Sequence, residues 1–170
     1  IDGDVGGFDL VLANAGIGGK AKLVGETTWQ DVDTMFRTNV IGVMATLMPV
    51  VPRMLERGSG RIINVASTAA FVPGPLMALY YASKSCVLSF SLAIANEVKG
   101  TGVTVTALCP GPTRTEFGEV AGRSGSRRFR GPAMTAADVA RQVFEAMMAI
   151  KDEIIACARS RLVARGSRLA

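Results

Sequence analysis

The sequence contains no histidine. Ser-His-Asp catalysis, His-ligated zinc and His-ligated haem are excluded together, because each needs an imidazole. Cysteine is scarce too. Cys86, Cys109 and Cys157 are too few and too scattered for a disulfide framework or a CxxC metal clip. Two of them lie in apolar runs, which suits buried free thiols and a reducing, cytoplasmic setting. Acidic residues are outnumbered, 14 against 19 lysines and arginines, for a net charge of +5. Part of the excess crowds into RSGSRRFR as Arg123, Arg127, Arg128 and Arg130. Such a cluster either steers an acidic partner or is a solvated loop. With Phe129 as its single aromatic it is no stacking platform, so nucleic acid is not an expected partner.

Long apolar runs are also missing in the form that a membrane span requires. The longest uncharged stretch, Ile62 to Ser83, is interrupted by Asn64, Ser67, Thr68, Pro73, Gly74 and Pro75, so it is not expected to form one apolar helix. No signal peptide is expected, since Ile1 is followed by Asp2 and Asp4 rather than by basic residues and an apolar core. The opening IDGDVGGFDLVLANAG carries no initiator Met, and an internal starting point is expected. What remains is a globular profile: 170 residues, 49% apolar and 19% charged, enough for one domain with a buried core.

Strand-like and helix-like segments alternate along the chain. FDLVLA (Phe8 to Ala13), RIINVAS, VTVTALCP and EIIACA are short apolar runs that predict buried strands. Thr28 and Asp31 are spaced as a capping box and open a helix that runs to Gly58, with kinks expected at Pro49 and Pro52. A second helix spans Met77 to Gly100. Its second half is apolar on nearly every side, so it is expected to be covered on two faces. TAADVARQVFEAMMAI predicts a third helix, and Thr115 to Met134 is the one long loop. This alternation predicts an α/β fold, a parallel sheet with helices on both faces. Ligands in such folds bind beyond the carboxyl ends of the strands, which here carry Asn14-Ala15-Gly16, Ser67, Pro110-Gly111 and Cys157.

Two motifs could carry chemistry there. GIGGKA (Gly16 to Ala21) fits the G-x-G-x-x-G/A dinucleotide pattern, but that pattern needs a helix to begin within it, and the next helix start is Thr28. It is not expected to cradle a phosphate. LYYASKS holds the only two tyrosines, Tyr80 and Tyr81, ahead of Lys84. On a helix Lys84 can approach either, since i,i+3 and i,i+4 side chains share a face. A phenol has a pKa of about 10, and a nearby ammonium favours the phenolate, bringing it toward useful proton transfer with a carbonyl oxygen. Spacing alone leaves open which tyrosine is meant.

The wider constellation resembles the short-chain dehydrogenase/reductase family. Asn14-Ala15-Gly16 close a strand, Asn39 lies in a helix, Ser67 ends a strand, Y-x-x-x-K follows, and CPGPTRTEF comes after the next strand. The resemblance runs from Phe8 to about Ile150, and the middle of the chain looks most like the family's DltE-type branch. It selects Tyr80, because Lys84 must stand four residues on. It also implies roles. Tyr80 exchanges a proton with the substrate carbonyl or alcohol, and Lys84 lowers the pKa of Tyr80 and bonds the nicotinamide ribose. Ser67 polarises the carbonyl, and Asn39 kinks its helix and holds a proton-relaying water. Asn14, Ala15, Gly16, Pro110, Gly111, Thr113 and Thr115, with Tyr80 and Lys84, meet the cofactor. That cofactor is NADP or NAD, with NADP slightly preferred, and no metal is implied. Ala13 stands where the family's N-N-A-G has its first Asn.

In the family's terms the chain is one domain, residues 1–170, the catalytic half of a three-layer Rossmann-type fold with strands 4 to 7. The family's T-G-x-x-x-G-x-G loop is not among these residues. The first strand is therefore expected to expose an apolar edge, and the chain alone to bind cofactor weakly. The implied activity is hydride transfer between a nicotinamide and a carbonyl or alcohol. The alternative is a non-catalytic remnant acting as a dimerisation or interaction module. Pro75, Leu76, Met77 and the Thr115 to Met134 loop suggest an apolar pocket for a lipid-like or bulky carbonyl, and the Arg cluster a docking point for an acidic carrier. The helices from Asp31 and Met77 are the pair through which the family forms homo-oligomers.

Overall fold

Valine, isoleucine and leucine concentrate in the segments expected to be strands, and those segments do form strands. In the computed structural model, which describes residues 7–117 and 133–156, the chain forms β1 (Leu10–Ala13), α1 (Trp29–Phe36), α2 (Gly42–Arg57), β2 (Gly60–Val65), α3 (Ala78–Glu97), β3 (Val103–Cys109), β4 (Thr113–Arg114), β5 (Met134–Thr135), α4 (Ala136–Met148) and β6 (Glu153–Ile155). One sheet has the order β1-β2-β3-β6, parallel throughout. The register sets Val11 beside Ile62, Ile62 beside Val105 and Leu108 beside Ile154. The α/β fold with a parallel sheet between helices is as expected. Cys157, the Arg cluster and most of the Thr115 to Met134 loop lie outside the described residues. The ends of that loop pair as the two-residue ladder β4–β5, too short to be visible as sequence pattern.

Strand alternation divides the interior into two layers. Val103, Val105, Ala107 and Cys109 join Leu47, Met54, Val87 and Leu88 in the core shared with α2 and α3. Ile63 and Leu108 point the other way, to Val139 and Met147 of α4. On β1, Val11 and Ala13 face the first core, whereas Leu10 and Leu12 are 47% and 54% exposed. Among the described residues the outer edge of β1 has no strand partner.

The helices start and stop where local chemistry dictates. Thr28 accepts from Asp31 N–H while the Asp31 carboxylate accepts from Thr28 N–H, and Gly58 closes α2 with φ of +68°. α2 holds Pro49 and Pro52 inside it, and a π-helical turn over Arg37–Ile41, around Asn39, precedes it. The carbonyls that the prolines leave unpaired belong to Ala45 and Met48, both exposed, so water can satisfy them. α3 is not covered on two faces. Ala82, Ser85, Ser89, Ala93 and Asn96 form an exposed stripe, and being small or polar they cost little to leave open. The stretch Trp29–Arg57 and α3 are long and apolar enough to cross a membrane on length and composition alone, yet each packs several buried residues against the sheet.

At the opposite end of the sheet from the strand carboxyl termini, two turns meet backbone to backbone. Gly102 has φ of +86°, and a Cβ there would collide with Gly58 O; Gly100, at +81°, has open space around it. Gly100→Ala is therefore expected to cost about 1 kcal/mol of backbone strain, and Gly102→Ala about 2 to 3 kcal/mol more through displacement of the Gly58 turn. Urea unfolding of the two variants checks the order, and equal losses would contradict it.

Candidate active site

The loop that leaves β1, residues 14–23, has no regular structure, so its backbone groups need partners from elsewhere. Asn39 supplies them. The wide turn Arg37–Ile41 carries Asn39 inward, where it is completely buried. Its Oδ1 accepts Ile17 N–H at 2.8 Å, and its Nδ2 donates to Ile17 O at 2.9 Å. The same Nδ2 lies 3.0 Å from Ser83 Oγ and 3.0 Å from Met35 Sδ. Ser83 Oγ in turn donates to Tyr80 O at 2.8 Å, so the loop, the α1–α2 junction and α3 are joined through one amide.

Lys84 stands one turn beyond Tyr80 on α3 and is only 4% exposed. Its Nζ donates to Val65 O, at the carboxyl end of β2, at 2.8 Å. Burial lowers its pKa from 10.5 to about 8, with the electrostatic pull of Cys109 opposing the shift. Gly16 leaves room here. A Cβ on it would lie 3.3 Å from both Asn39 Oδ1 and Lys84 Nζ, closer than ordinary contact allows.

The two tyrosines part company. Tyr80 is buried, with its ring 6.0 Å from that of Phe117 and 6.1 Å, edge-on, from that of Tyr81. It lines a hollow of about 330 Å³ with Ile17, Met35, Leu76 and Met77. Tyr81 instead lines a broader hollow of about 620 Å³ with Phe71, Pro73, Gly74 and Pro75. The larger hollow is thus not the one that Tyr80 faces, and Pro75 belongs to it rather than to the hollow of Leu76 and Met77.

Ser67 caps the 3-10 turn Thr68–Phe71, its Oγ accepting Ala69 N–H at 3.1 Å. Backbone bonds from Ala66 N to Leu108 O (2.8 Å) and Thr68 N to Pro110 O (3.0 Å) bring it beside Pro110. Asn14 and Ala15 are exposed at the end of β1, Pro110 and Gly111 are half-buried after β3, and Thr113 donates to Gly111 O at 3.0 Å. Thr115 is exposed beyond β4. No helix begins within Gly16 to Ala21, as expected. Sequence reasoning missed Ile17 and Ser83 as the partners of Asn39. It also missed Asn64 and Ser91, fully buried and bonded at 3.0 Å, with Asn64 Oδ1 unpartnered among the described residues. An asparagine inside the apolar strand RIINVAS was the available signal.

The sequence profile of the short chain dehydrogenase family matches residues 1–124. The chain belongs to that family. It is 40% identical over 117 residues to an uncharacterised oxidoreductase of Myxococcus xanthus, covering 69% of this chain and 46% of that protein. Among solved structures, a short chain dehydrogenase/reductase from Burkholderia phymatum in complex with NAD superimposes with a TM-score of 0.84 at 26% identity, over 94% of this chain and 65% of that one. A short-chain dehydrogenase from Sphingobium yanoikuyae in complex with NADPH gives a TM-score of 0.82 at 25% identity, over 95% of this chain and 63% of that one. This short chain dehydrogenase sequence spans about half the length of the curated relatives it matches.

Two outcomes follow from the buried groups. Asn39→Leu keeps much of the volume but strands Ile17 N–H and C=O, so a loss of roughly 2 to 4 kcal/mol is expected in chemical unfolding. For Lys84, the unfolded chain holds its proton up to about 10.5 and the folded chain only to about 8. Between those values the unfolded state binds more protons, so stability rises with pH there, by on the order of 3 kcal/mol in total. Relative to a Lys84→Met variant, the wild type should gain stability from pH 8 to 10.5; parallel curves would show that the ammonium is not desolvated.

Proposed function

We propose that the chain is the catalytic portion, residues 1–170 as one domain, of an NAD(P)-dependent oxidoreductase that interconverts a carbonyl and an alcohol, with Tyr80 as the general acid and base. The observation that carries this reading is the Lys84 ammonium. It is buried, anchored on Val65 O, and one helical turn from a tyrosine that faces a hollow. Lys84 keeps protons for two further bonds, and the side-chain-free corner at Gly16 admits a sugar hydroxyl to it, which fits a nicotinamide ribose. When bound, the nicotinamide supplies or takes up the hydride.

The residues of the chain do the rest. In the reductive direction the Tyr80 hydroxyl gives its proton to the carbonyl oxygen as that oxygen gains negative charge. The Lys84 ammonium favours the phenolate that remains. Ser67, at the end of β2, orients the carbonyl with its hydroxyl. Asn39 holds the Ile17 loop that walls the site and lies beside Lys84 across Gly16. Asn14, Ala15, Gly16, Pro110, Gly111, Thr113 and Thr115 edge the cofactor groove. NADP is the cofactor slightly preferred over NAD. A second copy of the chain is the proposed partner: Ile41, Met48 and Leu55 recur every seven residues on the exposed side of the α1–α2 helix, and α3 leaves its stripe of small residues open. A cytoplasmic setting accords with the free Cys86 and Cys109.

The test is reduction of a panel of aldehydes and ketones with NADPH and NADH, followed by nicotinamide absorbance, alongside calorimetric titration of both cofactors. Tyr80→Phe is expected to lower turnover by about a hundredfold or more. Tyr81→Phe should stay within about threefold of the wild type, because its ring faces the other hollow. Equal rates for Tyr80→Phe and wild type would discard the catalytic reading and leave the interaction module.

A further inference from the structure

The hollow beside Tyr80 is not electrically neutral. Besides Tyr80, its titratable lining groups are Lys20, Lys22 and Asp31. Lys22 Nζ lies 2.7 Å from Asp31 Oδ2, and the same oxygen accepts Thr28 N–H at 2.9 Å and the Thr28 hydroxyl at 2.8 Å. The Lys22 bond, then those from Thr28, hold Asp31 ionised, with its pKa lowered to about 2. Lys22 and Asp31 therefore cancel, and both are committed to the start of α1. Lys20 is different. It is exposed at the rim, and its ammonium has no hydrogen bond or ion pair among the described residues. The hollow is left with one uncompensated positive charge.

The rest of the lining sets the other requirements. Ile17, Met35, Leu76, Met77 and Leu79 supply apolar lining, and Thr27, Gln30 and Thr34 uncharged polar groups. The bond from Lys22 N to Leu76 O, 2.8 Å, ties the two loops that wall the space. A volume of about 330 Å³ is at the small end for ligand sites.

We propose that this hollow takes a small aliphatic carbonyl compound with an anionic far end, the carbonyl at Tyr80 and the anion at Lys20. The proposal rests on the assignment of Tyr80 above and adds the class of substrate. Lys20 is the residue that distinguishes an anionic substrate from a neutral one, by a charge contact that does not touch the reacting atoms.

The experiment pairs 4-oxopentanoate with 4-oxopentanamide, which differ in charge and little in shape. Binding of each to the chain is measured by calorimetry, with and without NADPH, and reduction is followed separately. The carboxylate is expected to bind about fivefold or more tighter than the amide, with a preference that shrinks as salt is raised. Lys20→Gln should bring the ratio of the two toward one, Lys20→Glu should invert it, and Lys20→Arg should retain it. Equal binding of both compounds, no binding of either at millimolar concentration, or a preference that survives Lys20→Gln would each overturn the proposal. Lys20-dependent binding of 4-oxopentanoate by a chain that also binds NADPH, without any reduction of it, would support the anion site while removing the oxidoreductase reading. Reduction of both compounds with equal kcat/KM would do the reverse.

Discussion

The side-chain amide of Asn39, with an NH2 group that donates and a carbonyl that accepts, is offered to a loop that has no strand or helix of its own. By bonding both backbone groups of Ile17 it does for the exit of β1 what a neighbouring strand would do. The wall of the Tyr80 hollow depends on that loop being fixed. Gly16 is held against Lys84, Ile17 walls the hollow of Tyr80, and Lys20 is carried to its rim. The amide reaches the loop because the helix widens at Arg37–Ile41, and the widening sits where α1 passes into α2 over the end of the sheet. A regular helix would turn residue 39 to a different bearing.

Lys84 works against this stability rather than for it. Burying an ammonium is unfavourable, and one carbonyl at 2.8 Å offsets only part of the cost, as the lowered pKa records. The sheet nevertheless provides the place. At the carboxyl ends of parallel strands the last carbonyls have run out of ladder partners, and Val65 O is available to a cation there. The fold thus brings together a destabilising charge and the acceptor that tolerates it at one edge.

The sequence made some of this plain and hid the rest, and the difference is physical. Capping by Thr28 and Asp31, closure of α2 at Gly58 and the four apolar strands depend on neighbours within a few residues, so they can be seen in the string. The π turn carries no marker in the apolar pattern; it was the family resemblance, through Asn39, that pointed to that stretch of helix. Nor can spacing separate Tyr80 from Tyr81, since both stand within a turn of Lys84. Only the packing of loop and helix sends the two rings into different hollows. The partners of Asn39 and Asn64 were hidden for the same reason. Ile17, Ser83 and Ser91 are far away in sequence, and nothing in a side chain announces which distant group it will meet.

The parallel register also governs the order in which the molecule can assemble. Leu10 of β1 pairs with Arg61 of β2, and the whole α1–α2 helix lies between them in the chain. During synthesis β1 therefore leaves the ribosome well before β2 exists, and Val11 and Ala13 wait uncovered until the helix and β2 have followed. Closing so long a loop is slow compared with forming a helix, because its entropy is lost before any ladder bond is gained. The β1–β2 ladder is then closed late, and until β2 arrives the nascent chain holds apolar side chains without the core they will join.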